Sequence, residues 1–280
     1  MTDIVLYHIP PSFYSQIARI VLVELGIRFQ AKVVAMGPPT FESYAPWYMA
    51  LNPMGTVPTL VHGDHVVPDS DAIVRYAIEH LNAERGSAGL SEAAARWIEA
   101  LRAISIRELS YGAEDARKLG AKVNAMRLRA LEKRRRTHPE LADAYAKKHA
   151  DIRGFADRAV DASVVAEHRA TVGRLLDEMD ELLASQPWLA GEEYSMADAV
   201  WTVGVARCRM LKLNPLEGRP ALAAWYERVK ARPSFERADV WERFKPLTML
   251  KVVSLKLAPQ ILAAVAIAVA LVWGIVWVLS

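Results

Sequence analysis

Two short stretches decide the fold of this chain: residues 52–60 read NPMGTVPTL and residues 69–73 read DSDAI. Near them, residues 59–62 and 65–67 have the composition of strands and flank Gly63-Asp64, a pair that favours a tight turn between antiparallel strands. The second stretch opens with residue types that cap the start of a helix. These residues therefore predict a β-hairpin that leads into a helix.

Outside these stretches, the periodicity of apolar residues divides the chain into two halves. Residues 3–8 and 30–34 are typical of strands, and residues 12–25 between them are typical of a helix that ends at Gly26. Beyond residue 88 almost every apolar pattern has helical spacing. The predicted fold class is α+β, with an α/β domain over 1–83, an all-helical domain over 88–245 and a C-terminal segment over 246–280.

The C-terminal residues 261–279 form an uninterrupted apolar run, ILAAVAIAVALVWGIVWVL, without a charged side chain. As a helix, this run would be about 28 Å long, close to the thickness of the hydrocarbon core of a bilayer. Basic residues precede it, and such flanks stay on the cytoplasmic side. We therefore expect a transmembrane anchor, with the folded body cytoplasmic, at a bacterial inner membrane or, in a eukaryote, the mitochondrial outer membrane. The basic flank consists of Arg243, Lys245, Lys251 and Lys256.

Residues 52–60 and 69–73 together resemble the N-terminal domain of the glutathione transferases, which has a thioredoxin fold. The stretch SMADA is similar to the helix-capping box of the family's helical domain, with Ser195 as the cap and Asp198 as the reciprocal acid. The resemblance covers about residues 3–245. It implies a thioredoxin-like N-terminal domain, an all-helical C-terminal domain, glutathione as co-substrate and a homodimer.

A long insert over residues 111–160 restricts the resemblance to particular members of the family. The piece THPELADAYAKKHADIR at 137–153 is similar to the corresponding piece of the tetrachlorohydroquinone dehalogenases. A long insert combined with a C-terminal anchor also resembles the ganglioside-induced differentiation-associated proteins, which are tail-anchored members of the superfamily. The dehalogenases lack an anchor, so each of these relatives matches the chain in part.

The resemblance assigns four residues to glutathione. It implies a cis bond between Val57 and Pro58, which leaves the backbone of Val57 free to pair with the cysteinyl part of the tripeptide, as an added strand would. It also implies that Asp69 holds the γ-glutamyl ammonium and Ser70 the γ-glutamyl carboxylate. The alternative for Asp69 and Ser70 is plain capping of the helix that they open.

A nucleophilic thiol must be ionised, and a free thiol has a pKa of about 8.5. The resemblance to serine-type members makes Ser12, at the start of the first helix, the candidate that stabilises the thiolate of glutathione. Tyr14 and Tyr7 are the alternative phenols. A further alternative is that Ser12 or Ser15 only caps the helix.

The dehalogenase pattern is incomplete in this chain. Alignment on Ser12 and Arg19 places Tyr14 where those enzymes carry the cysteine that forms a mixed disulfide. The chain has a single cysteine, Cys208, which we expect to be a small buried apolar residue. Conjugation or thiolysis by bound glutathione needs no protein thiol and stays possible.

Residues 117–136 are strongly basic, with nine lysines and arginines and one acid, Glu132. The stretch has no interleaved aromatic residues for stacking on bases, so we expect no contact with nucleic acid. Leu119, Val123 and Met126 form an apolar stripe along it, and our hypothesis is a basic amphipathic helix on anionic lipid. The alternative is a solvated helical insert.

The sequence therefore predicts a membrane-anchored glutathione-transferase-like enzyme, which transfers the thiolate of glutathione to an apolar electrophile in the cleft between the two domains. Two alternatives stay open. One is a non-catalytic tail-anchored module for membrane organisation, redox sensing or protein interaction. The other is a glutathione-dependent dehalogenase or thiolytic enzyme. The histidines have no metal-ligand spacing, so no metal site is expected.

Overall fold

The computed structural model describes residues 4–82, 90–112 and 114–258. The chain forms two compact units, Met1–Phe244 and Lys245–Ser280. The first unit contains a four-stranded sheet, eleven α-helices and three short 3₁₀ or π segments among its described residues. In chain order these are β1 Ile4–His8, α1 Phe13–Glu24, β2 Gln30–Val33, a 3₁₀ turn Glu42–Tyr44, α2 Pro46–Leu51, β3 Thr59–His62, β4 His65–Pro68, α3 Ser70–Tyr76, a π turn Ala77–Leu81, α4 Glu92–Arg102, α5 Ile106–Gly112, α6 Glu114–Thr137, a 3₁₀ turn Pro139–Leu141, α7 Ala142–Val160, α8 Ala162–Leu183, α9 Met196–Met210, α10 Pro220–Lys230 and α11 Pro233–Arg237.

The sheet has the strand order β2-β1-β3-β4. Strand β1 runs parallel to β2 and antiparallel to β3, and β3 forms the expected hairpin with β4. Leu6 in the central strand lies opposite Ala31 on one side and Leu60 on the other, and both leucines are fully buried. This is the thioredoxin-like arrangement that the resemblance implies.

Helix α1 joins the sheet to the helical part. Its side chains are buried almost continuously from Phe13 to Leu22, because α9, α3 and α11 pack around it. The helix ends where Gly26 adopts a φ of 65°, a left-handed conformation that costs glycine little. A helix that is apolar on both faces thus lies at the centre of the first unit.

The helical part is centred on the start of α9. Asp198 is fully buried and accepts hydrogen bonds from the backbone N–H groups of Ser195 at 2.9 Å and Leu189 at 3.0 Å. It also accepts one from the indole N–H of Trp225 at 2.8 Å. The predicted capping box is therefore confirmed, and its acid in addition ties α10 to α9.

The helical hairpin formed by α6 and α7 packs against the first domain through an apolar cluster of its own. Leu131 and Tyr145 are fully buried in it, and the Tyr145 hydroxyl donates to the carbonyl oxygen of Tyr44 at 3.0 Å. Two of the three residues of the predicted apolar stripe, Leu119 and Met126, are exposed instead. The other buried members of the cluster are Phe41, Tyr44, Met49 and Ile152.

The predicted transmembrane helix and the membrane location derived from it require correction. Within 4–82, 90–112 and 114–258, no helix is both long enough and apolar enough to cross a bilayer. The helices of sufficient length, α6, α7 and α8, all carry charged side chains along their length.

The predicted span 261–279 lies outside the described residues, and in the second unit residues 246–258 form a helix on which Lys251 is exposed. We therefore correct the fold class to a thioredoxin-like domain followed by a helical domain, with no membrane-spanning helix among the described residues. The predicted cytoplasmic-facing placement at an inner or outer membrane is withdrawn with it. The lipid contact proposed for 117–136 depended on the anchor, and we do not propose it.

Candidate functional site

The loop 52–58 is held by a buried network of hydrogen bonds. The side-chain amide of Asn52 donates to the carbonyl oxygen of Thr56 at 3.1 Å and to the Thr59 hydroxyl at 2.9 Å, and its oxygen accepts from the Met54 N–H at 3.0 Å. The Tyr48 hydroxyl donates to the same Thr56 carbonyl at 2.6 Å. Burial raises the pKa of Tyr48 to about 12, so this phenol stays a donor. These hydrogen bonds thus fix the conformation of the loop 52–58.

Gly55 is required by this loop. Its φ is 55°, and a Cβ placed there would lie 3.0 Å from the sulfur of Met49 and 3.2 Å from the ring of Tyr44. Only glycine combines that conformation with such a close approach. The bend that follows is cis at Val57–Pro58, as the resemblance implies, and both residues are buried.

The loop between β1 and α1 is fixed from three sides. The buried guanidinium of Arg19 donates to the carbonyl oxygens of Pro10 at 3.1 Å and Ala238 at 2.7 Å, and to Nδ1 of His8 at 2.9 Å. Arg207 donates to the carbonyl oxygen of Pro11 at 2.6 Å. Burial, together with the charge of Arg19, lowers the pKa of His8 to about 4, so its imidazole is neutral and accepts.

Ser12 lies at the end of this loop, as the N-cap of α1. Its hydroxyl oxygen accepts from the backbone N–H of Ser15 at 3.3 Å. Among the described residues no acceptor takes the hydroxyl proton of Ser12, so it can be donated to a ligand. The residue lines a cavity of about 450 Å³, and Val57 lines the same cavity. The structure thus brings Ser12 and the cis bend to one pocket.

The two alternative phenols lie in different places. Tyr14 lines the same cavity as Ser12 and is 39% exposed, and burial of its hydroxyl raises its pKa. Tyr7 is not among the described residues that line the cavity. Its ring packs against Trp47 and Tyr48, with ring centres 5.8 and 6.0 Å away. Tyr14 therefore remains an alternative to Ser12 on geometry, and Tyr7 is poorly placed.

The residues assigned to the γ-glutamyl group lie beside a second cavity of about 260 Å³, which shares Phe13 and Tyr14 with the first. Ser70 is buried and lines this second cavity. Asp69 is exposed, has a φ of 60° and caps α3 by accepting from the Ala72 N–H at 2.9 Å. The capping alternative is thus present in the structure, and it leaves the second carboxylate oxygen of Asp69 available.

The helical wall of the first cavity carries cations that the sequence analysis did not single out. Among the described residues that line the cavity, none carries a carboxylate, and four carry a positive charge. The signal that could have found one of them is the spacing on α7, where Tyr145, Lys148, Ile152 and Phe155 all fall on the buried face. The four cations are Arg107, Arg127, Lys148 and Arg207.

Cys208 cannot serve as a nucleophile in its present environment. Its side chain is 2% exposed, and burial raises the pKa of the thiol to about 12. A thiol that remains protonated is a poor nucleophile. The prediction of a small buried residue at this position is confirmed.

Comparison with known proteins gives the family. The model of the glutathione S-transferase N-terminal domain matches residues 11–80, and that of the glutathione S-transferase C-terminal domain matches residues 131–233. The tetrachloro-p-hydroquinone reductive dehalogenase of Sphingobium chlorophenolicum is 35% identical over 252 residues, which cover 88% of this chain and 99% of that protein. The chain belongs to the glutathione S-transferase family.

Two further relatives agree with the sequence-based resemblance. The human ganglioside-induced differentiation-associated protein 1-like 1 is 25% identical, over 84% of this chain and 73% of that protein. The crystal structure of a theta class glutathione S-transferase from Xanthomonas axonopodis pv. citri with glutathione bound has a TM-score of 0.52 and 25% identity, over 85% of this chain and 97% of that one.

Membership in this family makes glutathione the co-substrate, as predicted, and supports a glutathione-dependent activity in general. The roles of Ser12, Val57, Pro58, Asp69 and Ser70 stay predictions, as does the homodimer.

Proposed function

We propose that the protein is a glutathione-dependent enzyme in which Ser12 stabilises the thiolate of bound glutathione for attack on an electrophile with an apolar body. The observation that carries this proposal is the Ser12 hydroxyl, which has a proton to donate and faces the same cavity as the cis bend at Val57–Pro58. The thiolate displaces a leaving group from carbon: a C–S bond forms, and the leaving group departs with the electron pair of its bond.

Two features of Ser12 support this role. The hydroxyl stands at the N-terminus of a twelve-residue helix, where the aligned peptide dipoles favour negative charge. It would donate a charge-assisted hydrogen bond to the sulfur, and such bonds are about twice as strong as neutral ones. Together they would lower the pKa of the thiol of glutathione toward the working pH.

The tripeptide is proposed to run from this cavity toward Ser70. Its cysteinyl backbone would pair with the backbone of Val57 as an added strand does. Its γ-glutamyl end would pass Phe13 and Tyr14, which line both cavities, and reach the Ser70 hydroxyl and the Asp69 carboxylate. The thiol would then lie at Ser12.

Substitution or thiolysis fits the chain better than a cycle through a mixed disulfide with the protein. Tyr14 occupies the position that would need a cysteine, and the thiol of Cys208 is buried with a raised pKa. A halide displaced from carbon by glutathione leaves as the anion, without an oxidant or reductant. The name of the Sphingobium chlorophenolicum relative is consistent with carbon–halogen chemistry at such a site.

The test is Ser12→Ala, assayed with glutathione and a chromogenic aryl halide. We expect kcat/KM to fall by about a hundredfold, the usual effect of removing one preorganised donor to a developing or resident anion. The pKa of the bound thiol, followed by the ultraviolet absorbance of the thiolate, should rise toward its value in solution. Calorimetry should show glutathione still bound.

The matched control is Ser15→Ala, which removes a buried hydroxyl three residues along the same helix. That hydroxyl has no hydrogen-bond partner among the described residues, so its loss should leave kcat/KM unchanged. An unchanged rate in Ser12→Ala would remove Ser12 from the role, and a large loss in Tyr14→Phe would transfer the role to Tyr14. Glutathione binding without any turnover in the unsubstituted protein would favour a non-catalytic module.

A further inference from the structure

We propose that the electrophile carries an anionic group, which binds at the cationic wall made by Arg107, Lys148 and Arg207. This inference rests on the proposed function and specifies its substrate class. The expected substrate combines an apolar body, such as an activated aromatic ring, with a carboxylate, sulfonate or phenolate on the side away from the reacting carbon.

The first argument is the balance of charge at this wall. Lys148 and Arg107 share one carboxylate, Asp151, at 2.9 and 3.2 Å. The side chain of Lys148 is 4% exposed, so its ammonium depends on charged partners within the protein. Two cations on one acid leave a net positive charge beside the cavity that both side chains line. Burial lowers the pKa of Lys148.

Arg207 supplies the second argument. It is 6% exposed and lines the cavity beside Pro11. One of its terminal nitrogens donates to the carbonyl oxygen of Pro11, but its Nε has no hydrogen-bond partner among the described residues. Burial lowers its pKa to about 10, which still leaves the guanidinium charged at neutral pH. The Nε atom is enclosed by protein, so a ligand in the cavity would meet the rest of the guanidinium. Among the described residues no carboxylate forms an ion pair with Arg207, and a buried guanidinium without such a partner is a binding group for an oxyanion.

The remainder of the cavity defines the body of the substrate. The wall beside Ser12 includes the aromatic rings of Phe13 and Tyr14, and the guanidinium of Arg207 lies 5.8 Å from the centre of the Phe13 ring. An aromatic ring placed here would have its reacting carbon near the thiolate and its anionic substituent toward α7. The apolar residues of the cavity are Ile9, Phe13, Met36, Val57, Ile106 and Ile152.

The test uses two electrophiles that differ in charge and little in shape: 4-chloro-3,5-dinitrobenzoate and 4-chloro-3,5-dinitrobenzamide. In both, glutathione thiolate attacks the carbon that bears chlorine, the C–S bond forms and chloride leaves. Dividing each kcat/KM by the uncatalysed rate constant with glutathione removes the difference in intrinsic reactivity. We expect the benzoate to be preferred by about tenfold or more.

Lys148→Met should lower the corrected kcat/KM for the benzoate by about tenfold and change that for the benzamide by less than about twofold. Asp151 keeps Arg107 as its partner in this variant. Lys147→Met is the matched control, because Lys147 is the exposed neighbour on the same helix, and both rates should be unchanged. Lys148→Arg should restore the preference, which separates charge from folding.

The outcomes distinguish the two proposals. Turnover of both electrophiles without preference for the benzoate would overturn the anionic substrate and leave the glutathione-dependent activity intact. Turnover of neither would overturn the proposed function, and calorimetry with the two glutathione conjugates would then test the wall directly. Equal affinity for the two conjugates, or a loss of affinity for glutathione itself in Lys148→Met, would show that these cations do not select an anionic electrophile.

Discussion

The two walls of the cavity differ in how their polar side chains are paired. On the thioredoxin-like side, the buried polar side chains of residues 52–59 bond to one another and to their own backbone, through Asn52 and Tyr48. On the helical side, Arg107, Lys148 and Arg207 turn charges toward the cavity with one carboxylate between them. Under the two proposals made above, the first wall shapes the glutathione site and the second selects the other substrate.

The largest effect on stability is expected for Asn52→Ala. This change removes four hydrogen bonds from a site that is 1% exposed and leaves buried partners without them, so the free energy of unfolding should fall by about 3 to 4 kcal/mol. Denaturant titration measures it. Met54→Ala, at an exposed position of the same loop, should cost less than about 0.5 kcal/mol. Equal losses of unfolding free energy in both variants would show that the hydrogen bonds of Asn52 do not stabilise this wall.

An intermediate effect is expected from pH, through His8 at the base of the loop that carries Ser12. The pKa of His8 is about 4 in the folded protein, below its ordinary value of 6.5. Between these values the unfolded chain binds a proton that the folded protein does not. The free energy of unfolding should therefore fall by about 2 to 3 kcal/mol as the pH decreases from 6.5 to 4.

His8→Gln should reduce this pH dependence, because the glutamine oxygen can accept from Arg19 without titrating. The carboxylates of the protein titrate equally in both forms, so the difference between the two curves isolates His8. Identical curves would show that the imidazole is not held neutral by burial and by Arg19.

The smallest effect concerns the attachment of the helical wall to the other domain. Arg134 on α6 donates to the carbonyl oxygens of Phe41 at 2.7 Å and Thr40 at 3.0 Å, so Arg134→Ala should cost about 1 to 2 kcal/mol of unfolding free energy. Arg136 lies two residues further along the same helix. Its side chain is 75% exposed and pairs with Glu132. Its loss should cost less than about 0.5 kcal/mol. Thermal unfolding of both variants would measure the difference, and equal values would contradict this attachment.

The first wall could be predicted from the sequence because its determinants are local. The determinants are Gly55, the cis bend at Val57–Pro58 and the hairpin that ends at Pro68. They all lie within residues 55–68, and each residue type has few alternatives in such a loop. The capping box at Ser195 and Asp198 was equally readable, for the same reason. A conformation that is fixed by hydrogen bonds between near neighbours can be predicted from a short stretch of sequence.

The second wall could not be predicted, because it depends on which face of a charged helix is buried. Leu119 and Met126 predicted the wrong face of α6, whereas Leu131 and the polar Asn124 lie inward. This helix has so few apolar residues that their spacing does not show which face is buried. Lys148 had the spacing of a buried position, but a lysine at such a position can also extend its ammonium to water.

The apolar run at 261–279 shows the limit of a purely compositional argument. Hydropathy alone predicted the membrane anchor, and the correction comes from the described helices, none of which is long and apolar enough to span a bilayer. By contrast, Ser12 was assigned from the resemblance to serine-type members, which keep such a hydroxyl at the start of the first helix, and the structure places Ser12 on the cavity with Val57.

The separate apolar cluster under the α6–α7 hairpin has an evolutionary consequence. Because Leu131, Tyr145 and Ile152 form their own small core with the first domain, the hairpin is a module that can diverge without disturbing the sheet or α1. Gene duplicates could exchange or remodel this module and acquire new substrates while inheriting the half that carries Ser12 unchanged.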